Sequence, residues 1–94
     1  MMKKWQQRVG NWLSEHLELP SDVVLELPRI TTIGQLHVYI ENHRGLLLFS
    51  ETELRLDMDT GYLRITGERF VLKMMLPEEI LLEGKIKAIM FVDE

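Results

Sequence analysis

The feature that most restricts the fold is a regular alternation of apolar and polar residues through most of the chain. From residue 30 onward, apolar side chains occupy every second position in short runs, of which the clearest are Leu36, Val38 and Ile40, Leu54, Leu56 and Met58, and Leu63 and Ile65. A period of two is typical of half-buried antiparallel strands. No helical segment separates the runs, and so a parallel βαβ architecture is excluded.

Turn-forming residues divide this region at short intervals, for example Gly67-Glu68 and Gly84-Lys85. Asp59-Thr60-Gly61 predicts a β-hairpin, because Gly61 can adopt the positive φ that such a turn requires. The spacing of the turns predicts an antiparallel β meander of roughly seven to nine short strands, folded as a small sandwich or a curled sheet. A short β-solenoid is the alternative.

Two of the runs differ from the others because they are apolar on both faces. They comprise residues 46–49 and residues 86–92, where Lys87 is the one charged side chain. A strand of this kind must be covered on both sides, by a second layer, an N-terminal helix or another subunit. If residues 86–92 form an edge strand, Ile89 and Phe91 are candidates for contact with another copy of the chain or with a partner.

The N-terminal residues follow a different period. Between residues 2 and 18, apolar side chains recur at helical spacing, which predicts an amphipathic helix that ends before Pro20. We therefore divide the chain into an N-terminal helix, residues 1–20, and an all-β domain, residues 21–94. Trp5 and Trp12 share the apolar face of the helix, beside three basic side chains. Both rings either pack on the sheet or enter a membrane interface, where tryptophan and basic residues are favoured.

The composition restricts the partners and the location of the protein. The 94 residues include no cysteine, which excludes disulfides and thiolate metal sites, and the formal net charge is −4. An acidic β domain repels phosphate backbones, and so we expect no nucleic-acid partner. No apolar run approaches the roughly 20 residues that span a bilayer, and the N-terminus does not resemble a secretory signal. We expect the protein to remain inside the cell.

The most concentrated polar cluster is Asn42-His43-Arg44-Gly45. Asparagine and glycine favour tight connections, and we interpret the cluster as the turn of a hairpin between two strands. In the alternative interpretation, His43 titrates near neutral pH and Arg44 binds a carboxylate or a phosphate. Glu41 would then complete a small ligand site.

Few residues have the spacing that catalysis or metal binding requires. The three histidines, His16, His37 and His43, form no metal-binding motif, and we expect His37 to point outward from a strand. The paired carboxylates fall in predicted solvated turns; the pairs are Glu78 with Glu79 and Asp57 with Asp59. Neither a nucleophile elbow nor a phosphate-binding glycine loop occurs. We therefore expect no enzymatic activity, no cofactor and no bound metal.

A longer pattern extends over nearly the whole chain. Its segments are Trp12 to Pro20, Leu27-Pro28-Arg29-Ile30-Thr31, Gly34, Tyr39-Ile40-Glu41-Asn42-His43-Arg44-Gly45, Phe49-Ser50, Gly61-Tyr62-Leu63-Arg64-Ile65-Thr66-Gly67, Pro77-Glu78-Glu79-Ile80 and Glu83-Gly84-Lys85-Ile86. In these segments the chain resembles the YabP/YqfC family of sporulation proteins, and it is most similar to the YqfC branch. The run at residues 40–45 is the most specific part of this resemblance.

The resemblance implies a role in the mother-cell programme that builds the spore envelope, and it brings no catalytic residues. Together with the missing catalytic motifs, it leads us to expect a non-enzymatic assembly or adaptor protein with a protein partner, for which we favour a sporulation membrane protein. The expected location is the mother-cell cytoplasm, at the forespore membrane or the spore envelope. Homo-oligomerisation, peripheral membrane binding through the N-terminal helix, and a small ligand-binding β domain remain open.

Overall fold

The structure of the protein is a computed structural model that describes residues 27–93, and in this range the chain forms six β-strands. In chain order they are β1 (Arg29–Ile33), β2 (His37–Glu41), β3 (Gly45–Phe49), β4 (Glu53–Met58), β5 (Gly61–Met75) and β6 (Glu79–Val92). The predicted N-terminal helix, with Trp5 and Trp12, lies outside the described residues.

The six strands form one sheet in the order β1-β2-β6-β5-β4-β3. Every pairing between these strands is antiparallel, as the sequence predicts. A solenoid stacks its strands in parallel, and so the described strands do not form the alternative fold. The sheet is not closed, because β1 and β3 each pair with a single neighbour within residues 27–93.

The predicted hairpin at Asp59 and Thr60 is confirmed. Met58 of β4 pairs with Gly61 of β5, which leaves the two residues between them as the turn. Gly61 has a φ of 125°, a conformation that glycine adopts without a steric penalty.

Residues 27–93 contain six strands, because two of the expected turns lie inside long strands. β5 and β6 have 15 and 14 residues and continue through Gly67 and Gly84. The register shifts on both sides of Glu68, and the ring of Phe70 is buried against both glycines. A Cβ atom on Gly84 would lie 2.6 Å from Cδ1 of Phe70, and one on Gly67 would lie 2.8 Å from its Cε1. The two glycines therefore lie at a bend in the long hairpin of β5 and β6. The ring of Phe70 occupies the space that side chains at these two positions would need.

This bend divides the sheet into two parts that position the rest of the molecule. The first half-sheet contains β1, β2, residues 79–83 of β6 and residues 71–75 of β5. The second half-sheet contains β3, β4, residues 61–66 of β5 and residues 86–92 of β6.

The connection from β2 to β3 shows that the sheet is strongly curled. Glu41, the last residue of β2, pairs with the first residue of β6. Gly45, the first residue of β3, pairs with Asp57 of β4, and Asp57 pairs with Tyr62 of β5. Tyr62 in turn pairs with the last residue of β6. A straight β6 would separate its two ends by about 40 Å. Because four steps along the chain span at most about 14 Å, the two ends of β6 must approach each other.

The curled sheet encloses a single apolar core. Its buried side chains come from both half-sheets: Val38, Ile40, Leu54, Leu56, Met58, Leu63, Ile65, Phe70, Ile80, Leu82 and Ile86. Full burial of an aliphatic or aromatic side chain stabilises a fold by roughly 1.5–3 kcal/mol. The alternation seen in the sequence therefore identified the inward face of β2 and β4 correctly.

One further expectation is wrong, and a second stays a prediction. Residues 42–44 do not form the turn of a hairpin, because β2 and β3 are not neighbours and the segment crosses from one half-sheet to the other. Residues 46–49 are not covered on both sides by the described part of the chain, since all four side chains are exposed. In residues 86–92, Met90 and Phe91 are also exposed, whereas Ile86 is buried.

Candidate interaction site

The crossover between β2 and β3 connects the two half-sheets through its backbone. The amide of His43 donates a hydrogen bond to the Glu78 carbonyl oxygen over 3.3 Å, next to the first half-sheet. The next amide, of Arg44, donates to the Asp57 carbonyl oxygen over 2.8 Å, in the second half-sheet. Asn42 takes a φ of 65°, and its side-chain amide donates to the Leu27 carbonyl oxygen over 2.9 Å. The cluster therefore has a structural role in joining the two parts of the sheet.

His43 is buried in this crossover. Its Nδ1 atom accepts a hydrogen bond from the Gly45 amide over 3.0 Å, which assigns the proton of the neutral ring to Nε2. Burial lowers the pKa of His43 below its ordinary value, while the backbone of Leu76 and the charge of the Glu78 carboxylate oppose the shift. The neutral ring is therefore the form that fits the fold, because a protonated Nδ1 could not accept the Gly45 hydrogen bond.

Arg44 and Glu41, the other members of the predicted ligand site, have different partners. Arg44 is exposed and forms an ion pair with Asp59, in which Nε and Oδ1 are 2.8 Å apart. Glu41 is fully buried and lies 3.5 Å from the guanidinium of Arg29 on β1. His43, Arg44 and Glu41 thus contact three different elements, and the geometry does not favour the ligand-site interpretation.

The outer face of the first half-sheet carries a polar network that the sequence did not reveal. Tyr39 donates a hydrogen bond to the Glu79 carboxylate, and His37 contacts Glu83 over 3.0 Å. Burial, the bond to Glu79 and the charge of Glu41 all raise the pKa of the Tyr39 hydroxyl. Glu79 is therefore a strand residue with a partner, and its assignment to a solvated turn is wrong. The alternation does place His37 on the outer face, as predicted, but its partner lies 46 residues away in the chain.

The outer face of the second half-sheet holds two neighbouring arginines around one carboxylate. Arg55 and Arg64 are directly opposite each other, and both donate to Glu53, Arg64 over 2.9 Å. Both hydrogen bonds lower the pKa of Glu53, and the bond from Arg64 has the larger effect. The guanidinium of Arg55 also lies 5.5 Å from the centre of the Tyr62 ring. Like charges opposite each other are unfavourable, and the shared carboxylate compensates for them.

The C-terminal candidates, Ile89 and Phe91, have different surroundings. Ile89 pairs with Ile65 and packs against the core. Phe91 pairs with Leu63 on the same face, but 67% of it is exposed. Within the described residues, the strand segment from Lys87 onward pairs with β5 on one side only, because β2 reaches no further along β6. The structure thus places a large aromatic side chain at an open strand edge.

The opposite edge of the second half-sheet is also apolar. β3 is made of one glycine and four apolar residues: Gly45, Leu46, Leu47, Leu48 and Phe49. The four apolar side chains are all exposed, and Leu47 is the most accessible of them, at 56%. Four consecutive apolar residues were visible in the sequence, but their exposure follows from the strand order, which puts β3 at the end of the sheet.

Two negative observations apply to the described residues. Between residues 27 and 93, no three histidine, aspartate or glutamate side chains come together in a way that could hold a metal ion. The same range includes no helix with the length and apolar character needed to cross a membrane.

Comparisons with known proteins agree on one family. The model of the YabP family matches residues 26–94 of the chain. The chain is also 54% identical to the uncharacterized protein YqfC of Bacillus subtilis (strain 168) over 92 residues, which cover 98% of this chain and 99% of YqfC. No solved structure matches the chain significantly.

Proposed function

The chain belongs to the YabP/YqfC family, and from this premise we propose that it is a non-enzymatic assembly protein of spore formation. It acts by binding a protein partner through the open edge of β6, with Phe91 at the centre of the contact. The observation that carries this proposal is the 67% exposure of Phe91 on a strand segment with a free side.

The chemistry of that edge supports protein binding. An open strand edge can accept a further strand from a partner, whose backbone supplies hydrogen bonds and whose side chains supply specificity. Exposed aromatic rings on such a surface contribute a large share of the binding energy in many complexes. Met90 is exposed beside Phe91. Lys87 forms an ion pair with Glu68 over 3.3 Å, and the residues of β6 that follow Lys87 are all apolar.

The arrangement of the carboxylates supports a non-enzymatic role. Glu53 is held by two arginines, Glu68 by Lys85 and Lys87, and Glu83 by His37 and Lys73. Hydrogen bonds from these basic groups lower the pKa values of Glu53 and Glu68. A general acid requires the opposite shift, toward neutral pH.

The proposed setting is the mother cell of a sporulating bacterium, at the forespore membrane or the spore envelope, with a membrane protein as partner. The test is to replace the chromosomal gene in the sporulating host by a Phe91→Asp variant and to count heat-resistant spores. Leu36→Asp is the matched control, because Leu36 is an equally exposed apolar residue in the turn between β1 and β2.

We expect Phe91→Asp to reduce the count as far as deletion of the gene does, with normal protein levels, and Leu36→Asp to leave it unchanged. Normal sporulation of the Phe91→Asp strain would reject the β6 edge as the binding surface. Normal sporulation of the deletion strain would reject the role in spore formation itself.

Peripheral membrane binding through residues 1–20 stays a prediction, because Trp5 and Trp12 lie outside the described residues. Co-sedimentation with anionic liposomes tests it directly. Loss of binding in a variant with both tryptophans replaced by serine would support it, and no binding by the unchanged protein would reject it.

A further inference from the structure

The two half-sheets differ in the burial of their outer faces. Val38 and Ile40 of β2 face the core, and so the alternating side chains of Tyr39 and Glu41 lie on the outer face. The exposed fraction of Tyr39 is nevertheless 5%, and that of Glu41 is zero. The outward side chains of β4, and of residues 61–66 of β5, are only half-buried. Because flanking strands leave the outer end of a side chain open, burial on both faces of β2 points to a further layer over the first half-sheet.

The six described strands do not supply this layer. They all belong to one sheet whose inner face encloses the core, so that no strand of residues 27–93 is left to lie over the outer face. Residues 1–26 precede the sheet, and they join it at this face. Arg29 pairs with Glu41, and the Leu27 carbonyl oxygen accepts a hydrogen bond from Asn42, the residue that follows Glu41.

The length of the preceding segment is sufficient to reach the whole face. Residues 21–26 span at most about 21 Å when extended. The four strands of the first half-sheet extend over about 14 Å from β1 to β5. The helix predicted for residues 2–18 would be about 26 Å long, which is enough to cross all four strands.

The chemistry of the face suits an amphipathic segment. One uncharged row crosses three neighbouring strands, and its members are Tyr39, Leu81 and Met74. Glu41 and Glu79 flank this row on one side, and Glu83 flanks it on the other. Two cations, Arg29 and Lys73, lie beside these three carboxylates and leave an acidic surplus.

We propose that residues 1–20 fold back as an amphipathic helix onto the outer face of the first half-sheet, with Trp5 and Trp12 over the uncharged row. Residues 1–13 carry three basic side chains and no acidic one, which complements the acidic surplus of the face. Two buried tryptophans remove roughly 300–500 Å² of surface from water. A helix docked in this way cannot present the same apolar face to a membrane.

This inference does not depend on the proposed partner surface, because Phe91 lies in the second half-sheet. The test uses the fluorescence of the full chain without lipid. Trp5 and Trp12 are the two tryptophans of the chain, and so tryptophan emission reports on residues 1–20 alone. The unchanged protein is expected to emit at short wavelength and to resist quenching by acrylamide at every protein concentration.

Two variants place a charge in the uncharged row, Leu81→Lys at its centre and Met74→Lys on the outermost strand. Each is expected to shift the emission to longer wavelength and to raise the quenching constant severalfold. Val92→Lys is the matched control, because Val92 is a half-buried apolar residue of β6 on the outer face of the second half-sheet. It is expected to change neither quantity. Circular dichroism verifies folding, and Met74→Lys decides if Leu81→Lys does not fold.

Exposed tryptophans in the unchanged protein would overturn the proposal, and a shift to shorter wavelength on adding anionic vesicles would then identify a membrane as the occupant. Protection that is lost on dilution would overturn it in favour of a second copy of the chain. Protected tryptophans in the folded Met74→Lys and Leu81→Lys variants, or exposed ones in Val92→Lys, would overturn it as well.

Discussion

Both half-sheets end in a strand of five residues, β1 in the first and β3 in the second, and the two strands meet solvent in opposite ways. β1 follows Pro28 and contains Arg29, Thr31 and Thr32, and its arginine is held by the buried Glu41 of β2. β3 contains no polar side chain, and its leucines and phenylalanine are exposed. The edge strand of the first half-sheet thus combines polar residues and a charged pair with one exposed isoleucine, Ile33, whereas the edge strand of the second is entirely apolar.

The difference bears on which part of the sheet we expect to stabilise the fold and which part we propose for recognition. A buried ion pair restricts the pairing of its strands, because slipping the register would leave a charge buried without a partner. Exposed apolar side chains stabilise the isolated chain little, and they retain their full capacity to stabilise a contact with another chain. The second half-sheet accordingly contains the β6 edge that we propose as the binding surface.

The largest effect is expected from breaking the buried pair of the first half-sheet. Glu41→Leu should lower the free energy of unfolding by roughly 4 kcal/mol, because it removes a fully buried carboxylate that lies 3.5 Å from the guanidinium of Arg29. Urea denaturation measures this loss, and Glu51→Leu in the exposed turn after β3 is the control, expected to change stability by less than about 0.5 kcal/mol. Adding Arg29→Leu to Glu41→Leu should recover most of the loss. Unchanged stability of the single variant would contradict the role given to the pair.

A pair of leucines within the second half-sheet separates its core from its exposed edge. Leu56→Ala should cost roughly 3 kcal/mol, because Leu56 is fully buried and its truncation leaves a cavity. Leu47→Ala on β3 should cost less than about 0.5 kcal/mol under conditions where the protein is monomeric. Equal losses at both positions would mean that β3 belongs to the core of the single chain.

The crossover between the half-sheets is expected to make stability depend on pH. Because burial lowers the folded-state pKa of His43, the unfolded chain takes up its proton first as the pH falls. The stability that the neutral ring of His43 contributes is fully present above about pH 6.5, the ordinary pKa of histidine. It is lost as the pH falls toward the folded-state pKa. In that range the free energy of unfolding falls by at most about 1.4 kcal/mol per pH unit.

The measurement compares urea denaturation of the unchanged protein and of His43→Gln between about pH 7 and about pH 5, so that the contributions of all other groups are common to both proteins. The free energy of unfolding should depend less steeply on pH in the variant than in the unchanged protein, whatever the absolute stability of the variant. Parallel curves would show that His43 is protonated equally in the folded and unfolded chains.

The smallest effect is expected at the exposed ion pair of the second half-sheet, the counterpart of the buried pair in the first. Arg44→Ala and Asp59→Ala should each change stability by less than about 0.5 kcal/mol, because solvent screens the charges. A double-mutant cycle in urea isolates the coupling between them. A coupling as large as the effect of Glu41→Leu would remove the contrast between the two half-sheets.

Much of the secondary structure followed from the chain itself, and the candidate surfaces followed only in part. The alternation around Val38 and Leu56 predicted inward faces that the structure confirms, and Asp59-Thr60-Gly61 predicted the hairpin. Phe91 was named as a candidate for contact from an apolar C-terminal run, and that contact stays a prediction. The exposure of β3, by contrast, could not be predicted, because four consecutive apolar residues are equally compatible with a buried central strand.

The amino-acid sequence by itself determined which residues face inward along each strand and where the chain can turn sharply, because these are local properties of side-chain alternation and of glycine. Only the tertiary structure decided that Gly67 and Gly84 bend a long hairpin, that residues 42–44 cross between half-sheets, and that Glu41 and His43 are buried while Leu47 is exposed. Burial depends on which strands are neighbours, and a period of two is the same for a strand at the centre of a sheet and for a strand at its edge.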